Sequence, residues 1–147
     1  ELKTLKKEET RENLIDIGNK LRVKGGPGVL ADKLIVKLNS ENNHIVDSIR
    51  NPLEVISLRR DTQLHSFFLI SVHANARLRY DRLCSRGRIG DTDSWEKFVE
   101  QENKEENNDD PNKQQLSKTM EMADFNVDNS GTLEELEAQV NRIISSL

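Results

Sequence analysis

The sequence has little cysteine, few aromatic residues and no long hydrophobic run. Its single cysteine, Cys84, excludes an internal disulfide, and no group of cysteines and histidines has the spacing of a zinc site. The longest uncharged apolar run covers residues 67–72, far short of the roughly 20 residues that a membrane-spanning helix needs. The segment that begins at Glu1 has no signal-peptide core. These absences predict an intracellular protein, cytoplasmic or nuclear, without a membrane partner.

A surplus of positive charge is also absent. The chain has 22 lysines and arginines against 26 aspartates and glutamates, which gives a formal net charge of -4. Since an acidic chain has no general attraction to nucleic acid, nucleic-acid binding is not expected and any anion site must be local. Hydrophobic residues make up 34% of the 147 positions, which suits one core and predicts a single domain over 1–147.

Apolar residues at spacings of three and four predict a series of helices. These helices are predicted to begin after Thr10, near Leu30, at Pro52, at Ala76, after Asp93 and after Thr132. The third helix has the clearest start, because Asn51 is a good cap residue, Pro52 suits the first helical position and Glu54 follows in the first turn.

Three short apolar segments between these helices predict strands, at residues 44–46, 67–72 and 123–128. The second is apolar without alternation, which is typical of a strand that is covered on both faces of a parallel sheet. Strands separated by helices predict an α/β fold with a mainly parallel sheet. Such sheets bind ligands at the carboxyl ends of their strands, and polar residues follow each predicted strand here.

One segment lacks any sign of a packed structure. Residues 100–115 are almost wholly glutamate, asparagine, aspartate, lysine and glutamine. A segment without apolar side chains cannot bury enough surface to offset its ordering. The sequence therefore predicts a flexible, polar excursion over 103–118.

Asp47 and Arg50 are the first candidate catalytic residues, because they follow the first predicted strand directly. A carboxylate at a strand end can hold a magnesium-bound water or accept a proton, and a guanidinium can bind phosphate in a bidentate manner. The alternative is a loop ion pair or a helix-approach cap, since such pairs are common at protein surfaces.

The second candidate is a set of five arginines against one acid, Asp81, between residues 76 and 90. The set consists of Arg77, Arg79, Arg82, Arg86 and Arg88. Helical spacing brings Arg79, Arg82 and Arg86 to one face, and arginine suits planar recognition of phosphate. The alternative is a solvated face paired with the many acids of residues 91–110.

Residues 126–137 match several positions of a twelve-residue calcium loop, with Asn126 where aspartate normally begins it. A calcium-binding hand also needs a helix running into the loop, and residues 123–125 are short and strand-like, so calcium binding is a remote alternative. The three histidines are scattered, and no serine or cysteine is placed to suggest a hydrolytic triad. We expect Cys84 to be a half-buried helix cysteine.

Several segments together resemble the P-loop kinases related to dephospho-CoA kinase and adenylate kinase. The similarity is carried by residues 10–18, 46–55, 77–83, 86–88 and 123–136. Its most specific parts are Asp-Ser-Ile-Arg-Asn-Pro at 47–52 and Asp-Asn-Ser-Gly-Thr-Leu-Glu-Glu at 128–135. Within that family the sequence is most similar to an archaeal branch and to the kinase-like N-terminal part of fungal deoxycytidylate deaminases.

The resemblance implies a three-layer α/β fold, with ATP and magnesium as cofactors and phosphoryl transfer to a nucleotide or dephospho-CoA-like acceptor. It implies that Asp47 faces nucleotide and metal, and that Arg50 and Arg11 lie near the acceptor. It also implies an arginine-bearing lid, formed in or beside Arg82, Arg86 and Arg88.

The sequence departs from the family in one respect. It lacks the first strand and the glycine-rich loop with Lys-Ser or Lys-Thr, and Gly-Gly-Pro-Gly at 25–28 is no substitute. Either that segment precedes Glu1, as a start without methionine favours, or the domain has lost ATP chemistry. In the second case we expect a non-catalytic regulatory or interaction module, for which a deaminase is a natural partner domain.

Overall fold

The computed structural model describes residues 8, 10–39, 41–60, 66–88, 94–106 and 108–147. They form a mixed α/β structure that is rich in helix. The elements are α1 (Arg11–Gly25), α2 (Val29–Ile35), α3 (Pro52–Arg60), β1 (Ile70–His73), α4 (Ala76–Arg86), α5 (Trp95–Glu106), α6 (Leu116–Met120), β2 (Phe125–Asp128) and α7 (Leu133–Ile144). None of the described helices is both long and apolar enough to cross a membrane.

The predicted helix starts are confirmed where the structure describes them. The hydroxyl of Thr10 accepts a hydrogen bond from the backbone of Asn13 at 3.2 Å, which satisfies one free amide of α1. Thr132 and Glu135 form a reciprocal capping box at the start of α7. The cap predicted at Asp93 lies outside the described residues. One residue after Asp93, the Oγ of Ser94 accepts a hydrogen bond from the backbone amide of Lys97.

The predicted parallel pairing is present, but the strands differ from their predicted bounds. Strand β1 pairs with β2 in parallel, with Ile70 opposite Phe125 and His73 opposite Asp128. The prediction that residues 67–72 form a strand covered on both faces is wrong, because β1 begins at Ile70 and Val72 is 56% exposed. The described residues form a sheet of two strands, so neither strand is shielded by neighbours on both sides.

The predicted strand over residues 44–46 is absent. These residues form neither helix nor strand, and Ile45 is 100% exposed. A strand needs a hydrogen-bonding neighbour, and three apolar residues alone do not supply one. Asp47 and Arg50 consequently follow an irregular segment instead of a strand.

Two sets of apolar side chains are buried in the interior. Val55 and Leu58 of α3 and Val127 of β2 are among the most deeply buried residues. A second cluster joins α4 to α5, where Tyr80 and Leu83 pack against Phe98. The second cluster fixes the angle at which α5 meets the arginine-bearing helix α4.

Part of the segment predicted as a flexible polar excursion, 103–118, is hydrogen-bonded to the start of α3. The side-chain amide of Asn51 donates to the carbonyls of Pro111 and Lys113 at 2.8 and 2.9 Å. The backbone of Gln115 donates to the carbonyl of Arg50 at 2.9 Å. Glu105 is buried. Hydrogen bonds take the place of apolar packing in this segment, which composition alone does not indicate.

Candidate functional site

A cleft of about 850 Å³ lies between α1, α4, α5 and the loops that follow residue 46, β1 and β2. We call it the arginine cleft. Its walls include all six residues that the sequence singles out as site residues, namely Arg11, Asp47, Arg50, Arg82, Arg86 and Arg88. A neighbouring cleft of about 680 Å³ shares Arg11, Asp47 and Arg50 with it. Residues far apart in the sequence therefore meet at one surface, while their roles as ligands stay predictions.

The arginine cleft is strongly positive in a chain whose net charge is -4. Of the residues that the structure describes, seven arginines line it, against two acids, Asp47 and Glu102. Behind this wall, Glu54 pairs with Arg22 and Glu105 pairs with Arg11 and Arg50. Among the described lining residues arginines outnumber acids, a composition that favours anions.

Asp47 and Arg50 lie close in sequence but have different partners. The Oδ1 of Asp47 accepts a hydrogen bond from the backbone of Ser48 at 2.7 Å, and Ser48 has a positive φ of 66°. Arg50 forms an ion pair with Glu105. The backbone of Arg50 also donates to Glu54 at 3.0 Å, so α3 fixes the position of Arg50. The Asp47 side chain is exposed at the cleft, which leaves it accessible to a ligand.

Helix α4 presents its arginines on two faces. Arg79, Arg82 and Arg86 line the arginine cleft, as their spacing predicts. Arg82 is held there by a hydrogen bond of 2.7 Å to the carbonyl of Asn129. Arg77 points to another face, where its guanidinium lies 5.4 Å from the ring centroids of both Tyr80 and Trp95. Cys84 on this helix is exposed, so the half-buried position expected for it is wrong.

Sequence reasoning missed two glutamates of α5 that lie against these arginines. The Nε of Arg11 donates to Glu105 at 2.8 Å, and the Nη2 of Arg11 donates to Glu102 at 3.3 Å. Arg79 forms an ion pair with Glu102. A sequence signal for both glutamates exists, because residues four and seven positions after the buried Phe98 share its helix face. The expected pairing of the arginine set with acids of residues 91–110 is thus present for Arg79.

The carboxyl ends of β1 and β2 contribute a second polar group. The Oγ of Ser71 lies 2.9 Å from the Nε2 of His73 and also bonds the side chain of Asn126. The hydroxyl and backbone amide of Ser130 donate to Asp128 and lower the pKa of that carboxyl. Since residues 125–128 form a strand, no helix runs into the loop that resembles a calcium site.

The cleft fits a phosphate group better than it fits a bare metal ion. Arginine side chains supply the planar donors that phosphate oxygens accept. Among the described residues, no group of three or more histidine, cysteine, aspartate or glutamate side chains is arranged to hold a metal. Asp47 is an exposed carboxylate in the same cleft.

Comparison with known proteins links the chain to archaeal relatives. It is 32% identical over 142 residues to a UPF0200 protein from Hyperthermus butylicus, covering 95% of this chain and 72% of the relative. It is 28% identical to a UPF0200 protein from Pyrococcus furiosus, covering 95% and 74%. A UPF0200 protein from Thermococcus kodakarensis is 29% identical, covering 98% and 78%. The chain matches no protein-family model.

Proposed function

Because the chain belongs to the UPF0200 family and its six predicted site residues line one cleft, we propose that it is a nucleotide-binding domain of the P-loop kinase type. Its ligand in the arginine cleft is a nucleotide or a dephospho-CoA-like molecule that presents a phosphate group. The ancestral chemistry is phosphoryl transfer from ATP to such an acceptor. A three-layer sheet flanked by helices on both faces is part of the same proposal.

The observation that carries this proposal is the convergence of arginines on one cleft of an acidic chain. Arg11 comes from α1, Arg50 from the loop before α3, and Arg82 from α4. Arginine side chains that converge from separate segments can contact several oxygens of one phosphate group. Apolar side chains, among them Leu14, Ile15 and Leu30, line the same cleft. They suit the base or another apolar part of the ligand.

The residues of the chain have distinct tasks in this proposal. Arg82, Arg86 and Arg88 bind phosphate oxygens, while Arg50 and Arg11 orient the acceptor. Asp47 lies where a carboxylate can hold a magnesium-bound water or accept the proton of an acceptor hydroxyl. ATP, when bound with magnesium, supplies the transferable phosphoryl group.

The second candidate function is ligand binding without phosphoryl transfer, as in a regulatory or interaction module. It describes the 147-residue chain by itself, which has no glycine-rich loop with the lysine and hydroxyl that cradle the donor phosphates. We expect the purified 147-residue chain to form no ADP from ATP and magnesium, with nucleoside monophosphates or dephospho-CoA as acceptors. ADP formation that disappears in Asp47→Ala would favour the kinase function instead.

Calorimetric titration with AMP, ATP, dephospho-CoA and adenosine tests the binding proposal. The phosphorylated ligands should bind and adenosine should bind more weakly. The triple variant R82A/R86A/R88A should bind phosphorylated ligands more weakly. The binding free energy should fall by about 1 to 3 kcal/mol per lost charge-assisted contact.

A matched control removes the same charge from surfaces outside the cleft. Arg60, Lys118 and Arg142 are exposed, and none of them lines either cleft. The variant R60A/K118A/R142A should therefore bind as the wild type does. Equal affinity of wild type and the cleft variant for AMP contradicts the proposal, and equal weakening in both variants assigns the effect to net charge alone.

A further inference from the structure

The carboxylate of Glu102 bridges two arginines that come from different helices. One of its oxygens lies 3.3 Å from Arg11 of α1, and the other contacts Arg79 of α4. The Glu102 side chain is 24% exposed, and those of Arg11 and Arg79 are 23% and 40% exposed. A two-oxygen anion between two guanidinium groups is the arrangement that a phosphate group takes with arginines.

Both arginines are also held from behind by groups other than Glu102. Arg11 donates through its Nε to the buried Glu105 at 2.8 Å. Arg79 donates to the backbone carbonyl of Ala74. Each guanidinium group therefore has a hydrogen-bond partner that does not depend on Glu102. Donors that are held in advance bind an anion at a smaller entropic cost.

We propose that Arg11 and Arg79 form a second phosphate subsite, and that Glu102 occupies it in the absence of ligand. This proposal rests on the proposed function, since it assigns a further phosphate position in the same cleft. A phosphate group that enters displaces the carboxylate, which then turns toward solvent at the exposed side of α5. Glu102 thereby sets the affinity of the cleft for anions.

The neighbouring glutamate does not play the same part. Glu105 pairs with Arg11 and Arg50, and its side chain is only 6% exposed. Removing a buried carboxylate from its partners leaves charges uncompensated, so Glu105 is a fixed anchor. Glu102 has the exposure that a replaceable group needs.

The chain offers a closely matched pair of variants for the test. Glu100 lies on the same helix and pairs with Lys104, four residues later, away from both clefts. Glu102→Gln and Glu100→Gln remove the same charge from α5. We expect Glu102→Gln to bind inorganic phosphate about fivefold tighter or more than wild type by calorimetry, the order of one charge-assisted contact. Glu100→Gln should bind as wild type does.

Three ligands separate the sources of the phosphate group. Inorganic phosphate reports the subsite alone, AMP reports a nucleotide that reaches it, and adenosine lacks the group. Tighter AMP binding with unchanged phosphate binding would overturn the proposal, because the subsite itself should then gain nothing. A gain in E102Q that persists after Arg79→Ala is added would also overturn it.

A measurement on wild type covers the case in which the variant folds poorly. Phosphate should shift the side-chain Nε resonances of Arg11 and Arg79 in NMR spectra, and resonances that stay unchanged at saturating phosphate overturn the subsite. If wild type binds AMP and E102Q gains nothing, the subsite is wrong and the proposed function stands. If no variant binds any phosphorylated ligand, both are wrong.

Discussion

Two groups of paired arginine and glutamate side chains in this molecule differ in burial. Arg22 of α1 and Glu54 of α3 pair at 2.7 Å with side chains only 3% and 5% exposed. Arg11, Arg79 and Glu102 form a group whose side chains are between 23% and 40% exposed. The same residue types therefore form a nearly inaccessible pair in one place and a partly exposed group in another.

The difference in burial separates structural from ligand-binding charge. The members of a buried ion pair have no water as an alternative partner. Loss of one member therefore leaves the other charge uncompensated. An exposed group exchanges partners with water, salt or a ligand at small cost. We infer that the buried Arg22–Glu54 pair stabilises the packing of α1 on α3. The arginines of the open group can exchange Glu102 for another anion.

The largest expected change in stability follows the removal of the buried arginine, Arg22. Arg22→Ala should lower the free energy of unfolding by about 3 to 5 kcal/mol, because the Glu54 carboxylate stays buried without its partner. Urea denaturation measures this change. Lys20→Ala is the control on the same helix, since Lys20 pairs with Asp16 at the surface, and it should cost less than about 0.5 kcal/mol. Equal losses in the two variants would contradict the structural role of the buried pair.

Phosphate should stabilise the protein by binding in the arginine cleft. At a phosphate concentration of 100 times its dissociation constant, binding to the folded state should add about 2.7 kcal/mol to the free energy of unfolding. Urea denaturation with and without phosphate measures the gain. The gain should shrink in R82A/R86A/R88A and persist in R60A/K118A/R142A. A gain that is the same in both variants would assign it to general salt effects.

Asp124 offers an intermediate case with a smaller effect. It pairs with Arg59 at 2.9 Å with both side chains 36% exposed. The backbone amide of Leu69 and then Arg59 lower the pKa of this carboxyl from its ordinary value of 3.8. Its contribution is present above pH 3.8 and is lost as the pH falls through the lowered pKa.

Asp124→Asn should therefore reduce stability at pH 7 by less than about 1 kcal/mol and flatten the decline in acid. Denaturation between pH 2 and pH 7 measures both. A variant that declines in acid as steeply as wild type would show that the Asp124 contacts contribute nothing there.

The sequence predicts the local features of this fold better than its long-range contacts. The start of α7 follows from Thr132 and Glu135, whose cap needs only neighbouring residues. The strand expected at 44–46 failed because pairing depends on a neighbour that the segment itself does not specify. The pairing of Arg22 with Glu54 spans 32 positions and left no local signal.

The candidate site follows the same division. Periodicity brings Arg79, Arg82 and Arg86 to one face of α4, so that part of the cleft is predictable from spacing. The contacts of Glu102 and Glu105 were hidden in a segment that composition describes as solvated. The available signal was their spacing from Phe98, which places both glutamates on the buried face of the helix. That signal is usable only if polar residues are allowed on a buried face.

The most direct test of the account is to map AMP on the wild-type chain by backbone amide NMR. At saturating AMP the shifted amides should cluster around the arginine cleft, at Asp47, Arg50 and His73 and along α4, and adenosine should cause much smaller shifts. Shifts confined to surfaces outside both clefts, or none at millimolar AMP, would contradict the central claim that this cleft binds a phosphorylated ligand.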